Sequence, residues 1–289
     1  MSVTQASFST KIRTWLLLAA LSGLFVGIGA VIGGGALYGF VAFAVIMNLA
    51  AYWFSDKFAI MSSRAKPIDE AQVPELYATV RELAQRFEVP MPRVYLIPSE
   101  QPNAFATGRN PKKAVVAVTQ GLLQYLPPEQ VRGVLAHEFS HIKNRDILVA
   151  SIAAMIAGAI SSLQYMLFFG MASDDDDSPL GAIGAIAALI IGPIAAMLLQ
   201  MAVSRQREYL ADATAARVIG EGRPLAEALE TLERGVKALP VAVNPASASL
   251  YIVNPLRGAG VASLFSTHPP LAERVRRLHE YDRSRGLVY

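Results

Sequence analysis

The sequence predicts a mainly α-helical membrane protein: four transmembrane helices and a cytoplasmic α+β domain with a small β-sheet. Three observations predict it. Hydrophobic residues make up 53% of the 289-residue chain and charged residues only 17%, a balance found in membrane proteins. Three long runs, residues 14–55, 147–173 and 178–204, carry no charge. The remaining stretches are polar and read as amphipathic helices and short strands. The absence of cysteine excludes disulfides and thiolate metal sites. A net charge of +3 is a weak signal by itself, and no phosphate-binding glycine loop or basic-aromatic cluster points to nucleic acid.

The elements follow in order. Residues 14–55 are too long for one span and long enough for two, at about 20 residues each. Gly33-Gly34-Gly35 is the natural turn, so the spans are expected at 15–32 and 36–54. The first is too long for the apolar core of a signal peptide, and the second follows almost at once. Residues 68–87 read as an amphipathic helix, with Leu76, Val80, Leu83 and Phe87 on one face. Strands are expected at 94–97, 103–107 and 114–119 from β-branched and aromatic runs between Pro and Gly breakers. A helix opening at Pro127-Pro128-Glu129 suits Pro and an acidic first turn, and it can run on into the third span at 147–169. The Asp174–Asp177 run reads as a solvated loop, and a fourth span falls at 180–203. Further helices are expected at 224–236 and 271–284. The long loop between them, 238–260, is of a kind that is usually functional or mobile.

Orientation follows from the placement of Lys and Arg. Lys11, Arg13, Lys57, Arg64, Lys66, Lys143, Arg145, Arg205 and Arg207 all fall on one side of a four-span topology. Both termini are then cytoplasmic. The expected segments are an N-terminal transmembrane hairpin in 1–56, domain halves at 57–146 and 204–289, and a second hairpin at 147–203.

The chemistry concentrates at His137-Glu138-Phe139-Ser140-His141. On a helix, positions i and i+4 share a face, so His137 and His141 can aim two imidazoles at one cation, a spacing that suits zinc. Glu138, turned about 100° away, is placed for a general base acting on water. A two-histidine site needs a third protein ligand. Glu208 and Asp212, again i and i+4, supply a carboxylate for the metal and an acceptor for a ligand imidazole N–H. The strand Asn103, Ala104, Phe105, Ala106 and Thr107 would take up an extended peptide if it forms a sheet edge. Two roles stand open for His268, held by Pro269 and Pro270: a donor to a developing oxyanion, or a structural residue at a helix entry. His279 reads as a surface residue.

Several of these segments carry a resemblance. Pro102-Asn103-Ala104-Phe105-Ala106-Thr107-Gly108, Val134-Leu135-Ala136-His137-Glu138-Phe139-Ser140-His141-Ile142, Asn144-Arg145-Asp146, Arg207-Glu208-Tyr209-Leu210-Ala211-Asp212 and Phe265-Ser266-Thr267-His268-Pro269-Pro270-Leu271-Ala272-Glu273-Arg274 stand in the order of the HtpX-like membrane metalloproteases. These are relatives of the type 1 CAAX prenyl proteases. The resemblance implies a zincin-like (gluzincin-type) metalloprotease domain with one zinc ion per chain. It implies an endopeptidase of the bacterial inner membrane that cuts misfolded or damaged membrane proteins from the cytoplasmic side. It assigns His137, His141 and Glu208 as ligands and Glu138 as the catalytic carboxylate. Its partners would be protein substrates and the lipid bilayer. A membrane scaffold or transport protein with a structural zinc is the alternative, and the Glu138 next to the first ligand argues against it. A zinc site deep within the bilayer is opposed by Lys143, Arg145 and Asp146.

Overall fold

The computed structural model describes residues 35–152, 205–238, 251–253 and 269–287, with residue 155 and isolated positions between 12 and 30. The first described helix, α1 (Ala36–Ser62), contains the expected second span and continues past Asp56 and Lys57. It is long and apolar enough to cross a membrane. Much of its surface is bare: Tyr38, Ile46, Leu49 and Trp53 are all exposed. Described positions of the first expected span are helical, and there Ser22 accepts a 2.6 Å hydrogen bond from the Asn48 side chain of α1. Interhelical polar contacts of this kind join helices in a bilayer. Most of the third and all of the fourth expected span lie outside the described residues, as does the Asp174–Asp177 run.

A four-stranded sheet follows, built from β1 (Lys66–Pro67), β2 (Arg93–Ile97), β3 (Ala104–Thr107) and β4 (Val115–Thr119). Its order is β1-β2-β4-β3. β2 and β4 run parallel, while β1 pairs with β2 and β3 with β4 antiparallel. β3 is therefore a terminal strand of the sheet. Alternation along each strand divides its side chains between two faces. Val94, Ala104, Ala106, Val116 and Val118 join the main core. Ile97, Phe105 and Ala117 pack with Ala59 of α1 on the other face, which fixes the sheet against the end of the apolar helix.

Helix α2 (Pro74–Arg86) buries Leu76, Val80 and Leu83, with Phe87 just beyond its end. It starts later than the expected residue 68. Pro74 stands in its first turn, and the residue before a proline avoids helical backbone. Lys66 and Pro67 instead pair with Leu96 and Tyr95 as β1.

After the short α3 (Gln120–Tyr125) comes the central helix α4 (Pro128–Asn144). The last three described helices, α5 (Arg205–Ile219), α6 (Arg223–Ala238) and α7 (Leu271–Ser284), complete the domain. α4 does not run on into the third span. Arg145 takes a left-handed conformation (φ 62°) and its N–H caps the carbonyls of His141 and Ile142. A left-handed residue ends an α-helix, and the backbone becomes helical again from Asp146.

The core lies between the sheet and α2, α4, α5, α6 and α7. Close approach at Gly133 brings α4 against the start of α6: a Cβ there would lie 2.7 Å from the backbone nitrogen of Leu225. Gly133→Val should therefore destabilise the domain by about 1–3 kcal/mol, the usual cost of overpacking. Thermal unfolding of the purified variant reads this as a lowered Tm; an unchanged Tm would show that the helices can part freely.

Candidate metal centre

Helix α4 presents His137 and His141 one turn apart, and α5 brings Glu208 across from them. The two Nε2 atoms lie 3.2 Å from each other. Glu208 Oε2 lies 3.6 Å from His137 Nε2, and Oε1 lies 3.5 Å from His141 Nε2. A tetrahedral zinc with bonds near 2.0–2.1 Å separates its ligand atoms by about 3.3 Å. The three side chains thus fit one such ion, and among the described residues they form a group that could hold a metal.

The far sides of both imidazoles are also held. His137 Nδ1 meets Asp212 Oδ1 at 2.9 Å. Asp212 is gripped by Arg274, with Nε to Oδ2 at 2.8 Å and a second guanidinium nitrogen to Oδ1 at 2.7 Å. This is the two-pronged arrangement a planar guanidinium makes with a carboxylate. His141 Nδ1 lies 3.4 Å from Asp146 Oδ2, and Arg207 donates to Asp146 Oδ1 at 3.1 Å. Each imidazole is backed by a carboxylate and each carboxylate by an arginine. Carboxylate partners of this kind orient a ligand imidazole and raise its basicity.

The electrostatics follow from burial. Desolvation opposes a charged His137, but hydrogen bonds to Asp212 and Glu208 outweigh it and push its pKa up to about 9. Burial acts to raise Asp212, yet the Arg274 charge and hydrogen bond hold it down at about 2. Glu138 is fully enclosed, and burial pushes its carboxyl above the usual range. Its Oε2 accepts the Ala106 N–H at 2.8 Å, so β3 holds this carboxylate beside the histidines.

That bond also settles how β3 is turned. Because the Ala106 N–H points away from β4, alternation turns the Ala104 N–H the same way, and those of Phe105 and Thr107 toward β4. A peptide added at this edge would thus meet Ala104 rather than Phe105. All four strand residues are buried. Asn103, just ahead of the strand, donates its N–H to Thr119 Oγ1 at 2.8 Å and accepts the Ile252 N–H on Oδ1 at 3.2 Å.

His137, Glu138, His141, Glu208, Asp212 and the 103–107 strand thus meet in one region, whereas His268 lies outside the described residues. His279 is exposed, as expected. Three site residues were missed as such: Asp146, Arg207 and Arg274. Asp146 is only five residues beyond His141, but that spacing points away from it on a continuous helix, and the break at Arg145 is what brings the two together. Arg274 had no signal in its spacing, because its partner Asp212 is 62 residues away.

Fold and centre together define a class, the metal-dependent proteases. The family follows from comparison with known proteins: residues 70–282 match the model of Peptidase family M48, and the chain belongs to that family. It is 55% identical over 287 residues to a protein of Persephonella marina named "Protease HtpX homolog", covering 96% of this chain and 99% of that one. A relative of the same name from Thermococcus sibiricus is 48% identical over 287 residues, with 96% and 98% covered. The solved structure titled "Crystal Structure of S. mikatae Ste24p" shares the fold at 20% identity, with a TM-score of 0.50, covering 95% of this chain and 67% of that one.

The raised pKa of His137 makes a measurable demand. In metal-free protein the imidazole keeps its proton below about pH 9, and a metal must displace it. Zinc affinity should rise with pH and level off as the pH passes about 9. Asp212→Asn should flatten this dependence and weaken binding by roughly 10–100-fold. Competition with a chelator across pH measures both; a pH-independent affinity in the parent protein would remove His137 from the ligand set.

Proposed function

We propose that the chain is a multi-pass membrane endopeptidase that uses zinc and cuts misfolded or damaged membrane proteins from the cytoplasmic side. The observation that carries this reading is the His137–His141–Glu208 cluster with Glu138 held beside it. His137, His141 and Glu208 bind the zinc. When bound, the metal makes a water more acidic and polarises the scissile carbonyl. Glu138 takes the proton of the attacking water and passes it to the leaving amine. A carboxyl lifted by burial suits both halves of that transfer. Asp212 and Asp146 fix the imidazole tautomers, and Arg274 and Arg207 keep those two carboxylates charged. A structural zinc would give no reason for a buried, non-ligand carboxylate at Glu138.

The reading of the membrane part rests on the uncharged runs and on α1. Four spans with both termini cytoplasmic leave the basic residues around the centre on the cytoplasmic side. The plasma membrane is the proposed location. Substrate adds to the terminal edge of β3 through main-chain bonds that every sequence offers, which suits a quality-control role. His268 is the proposed donor to the oxyanion.

Two experiments test this. Glu138→Gln should abolish cleavage of an unfolded substrate and leave zinc content intact, whereas Glu208→Ala should lose zinc. Metal analysis beside peptide mapping separates the roles, and zinc lost with Glu138 would make that residue a ligand. In the second, Ala104→Pro removes an edge-facing N–H that β4 does not use, a position where a strand tolerates proline. The expected result is a raised KM with unchanged zinc content; Phe105→Pro should instead disrupt the strand. A normal KM in Ala104→Pro would discard the β-addition.

A further inference from the structure

The uncharged run of α1 ends at Ser55, and Asp56 and Lys57 follow. Read as a membrane span, α1 therefore leaves the apolar layer near Trp53. Tyr52, Trp53 and Phe54 are exposed at 40%, 52% and 53%, and aromatic residues favour the boundary between lipid and water. At that depth the connection between β3 and β4 reaches the helix. The Arg109 guanidinium lies 4.6 Å from the Trp53 ring centroid. Its Nε is buried and finds no hydrogen-bond partner among the described residues. One turn on along α1, Lys57 lies 5.2 Å from the Phe54 ring centroid.

The connection itself is tightly folded. Gly108 has φ +135°, and a Cβ there would sit 2.6 Å from the Lys113 carbonyl oxygen. Lys112 and Lys113, both exposed, occupy a 3-10 turn at Pro111–Lys113. Arg109, Lys112 and Lys113 thus project from one short folded segment whose first cation touches the interfacial tryptophan. Asp56, the acidic residue on this part of α1, is buried, whereas Lys57, Lys112 and Lys113 are exposed. Exposed Lys57, Lys112 and Lys113 beside an arginine held against the boundary tryptophan match an anion of the same depth.

We propose that Arg109, Lys112 and Lys113, with Trp53 and Lys57 of α1, form a binding site for the headgroup phosphate of an anionic phospholipid. The inference rests on the reading of α1 as a membrane span. Arg109 supplies the donors nearest the phosphate while its guanidinium stays over the Trp53 ring. The lysines supply longer-range attraction that salt screens. A basic residue near an anionic surface is worth roughly fivefold in affinity. Arg109 lies two residues beyond Thr107, the end of β3. A bound headgroup therefore ties the strand that holds Glu138 to the plane of the membrane.

The full chain, reconstituted into phosphatidylcholine vesicles with or without phosphatidylglycerol, tests the site. Lipid retained on the purified protein is counted by native mass spectrometry, with thermal unfolding and zinc content as controls. The parent should prefer phosphatidylglycerol by roughly tenfold or more. Lys112→Gln with Lys113→Gln should reduce the preference, and adding Arg109→Gln should abolish it, with Tm and zinc unchanged. Because Lys112 and Lys113 are exposed, the double variant stays informative even if Arg109→Gln harms folding. Equal retention of the two lipids by the parent, or full preference in the double variant, would overturn the proposal. So would displacement of phosphatidylglycerol by inorganic phosphate, which would make the ligand a free anion. Failure to enter either vesicle would refute the membrane-span reading, whereas insertion without lipid preference would refute the headgroup site only.

Discussion

The centre depends on one shared carboxylate. Asp212 accepts from the His137 imidazole on one side and from the Arg274 guanidinium on the other, and all three groups are almost wholly buried. Taking charges out of water is costly, and removing one partner from such a pair costs about 3–5 kcal/mol. The arrangement holds because each charge has its opposite within hydrogen-bond reach. Arg274 also donates to the Ile252 carbonyl at 3.2 Å. It therefore joins α7, α5, α4 and the 251–253 segment at a single point. His137, a candidate metal ligand, is oriented by the same contacts that hold α7 in place.

The fold serves this point in two ways. The Gly133 contact lets α6 approach α4 closely, which leaves α5 beside the histidine face. The left-handed turn at Arg145 stops α4, so that Asp146 can reach back to the second imidazole. A continuous helix would carry position 146 about 140° around the axis from position 141, away from the histidine. The polar centre is thus built from helix starts and stops as much as from helix faces.

Much of this was legible because it is local. The His137–His141 and Glu208–Asp212 pairs are one-turn patterns, and the three longer strands are runs of β-formers between breakers. The start of α2 was misplaced because the expected helix was carried back across Pro74 to residue 68, although its apolar face begins only at Leu76. β1 has only two residues, too few for any periodic signal. Phe105 looked as suitable for peptide pairing as Ala104, since only the β3–β4 register decides which N–H faces outward. Arg274 and Arg207 were hidden for another reason: an arginine in an otherwise charged helix reads as a solvent residue until its distant carboxylate is known.

The shared carboxylate also imposes an order on biosynthesis. Arg274 lies 62 residues beyond Asp212, and at typical translation rates it is made roughly 3–12 s later. Until then Asp212 has no guanidinium, His137 has no fixed acceptor, and the last helix is missing from the core. A ribosome-bound chain can expose both histidines and Glu208 without holding them in register. The buried contact that orients His137 is therefore complete only once Arg274 has been made.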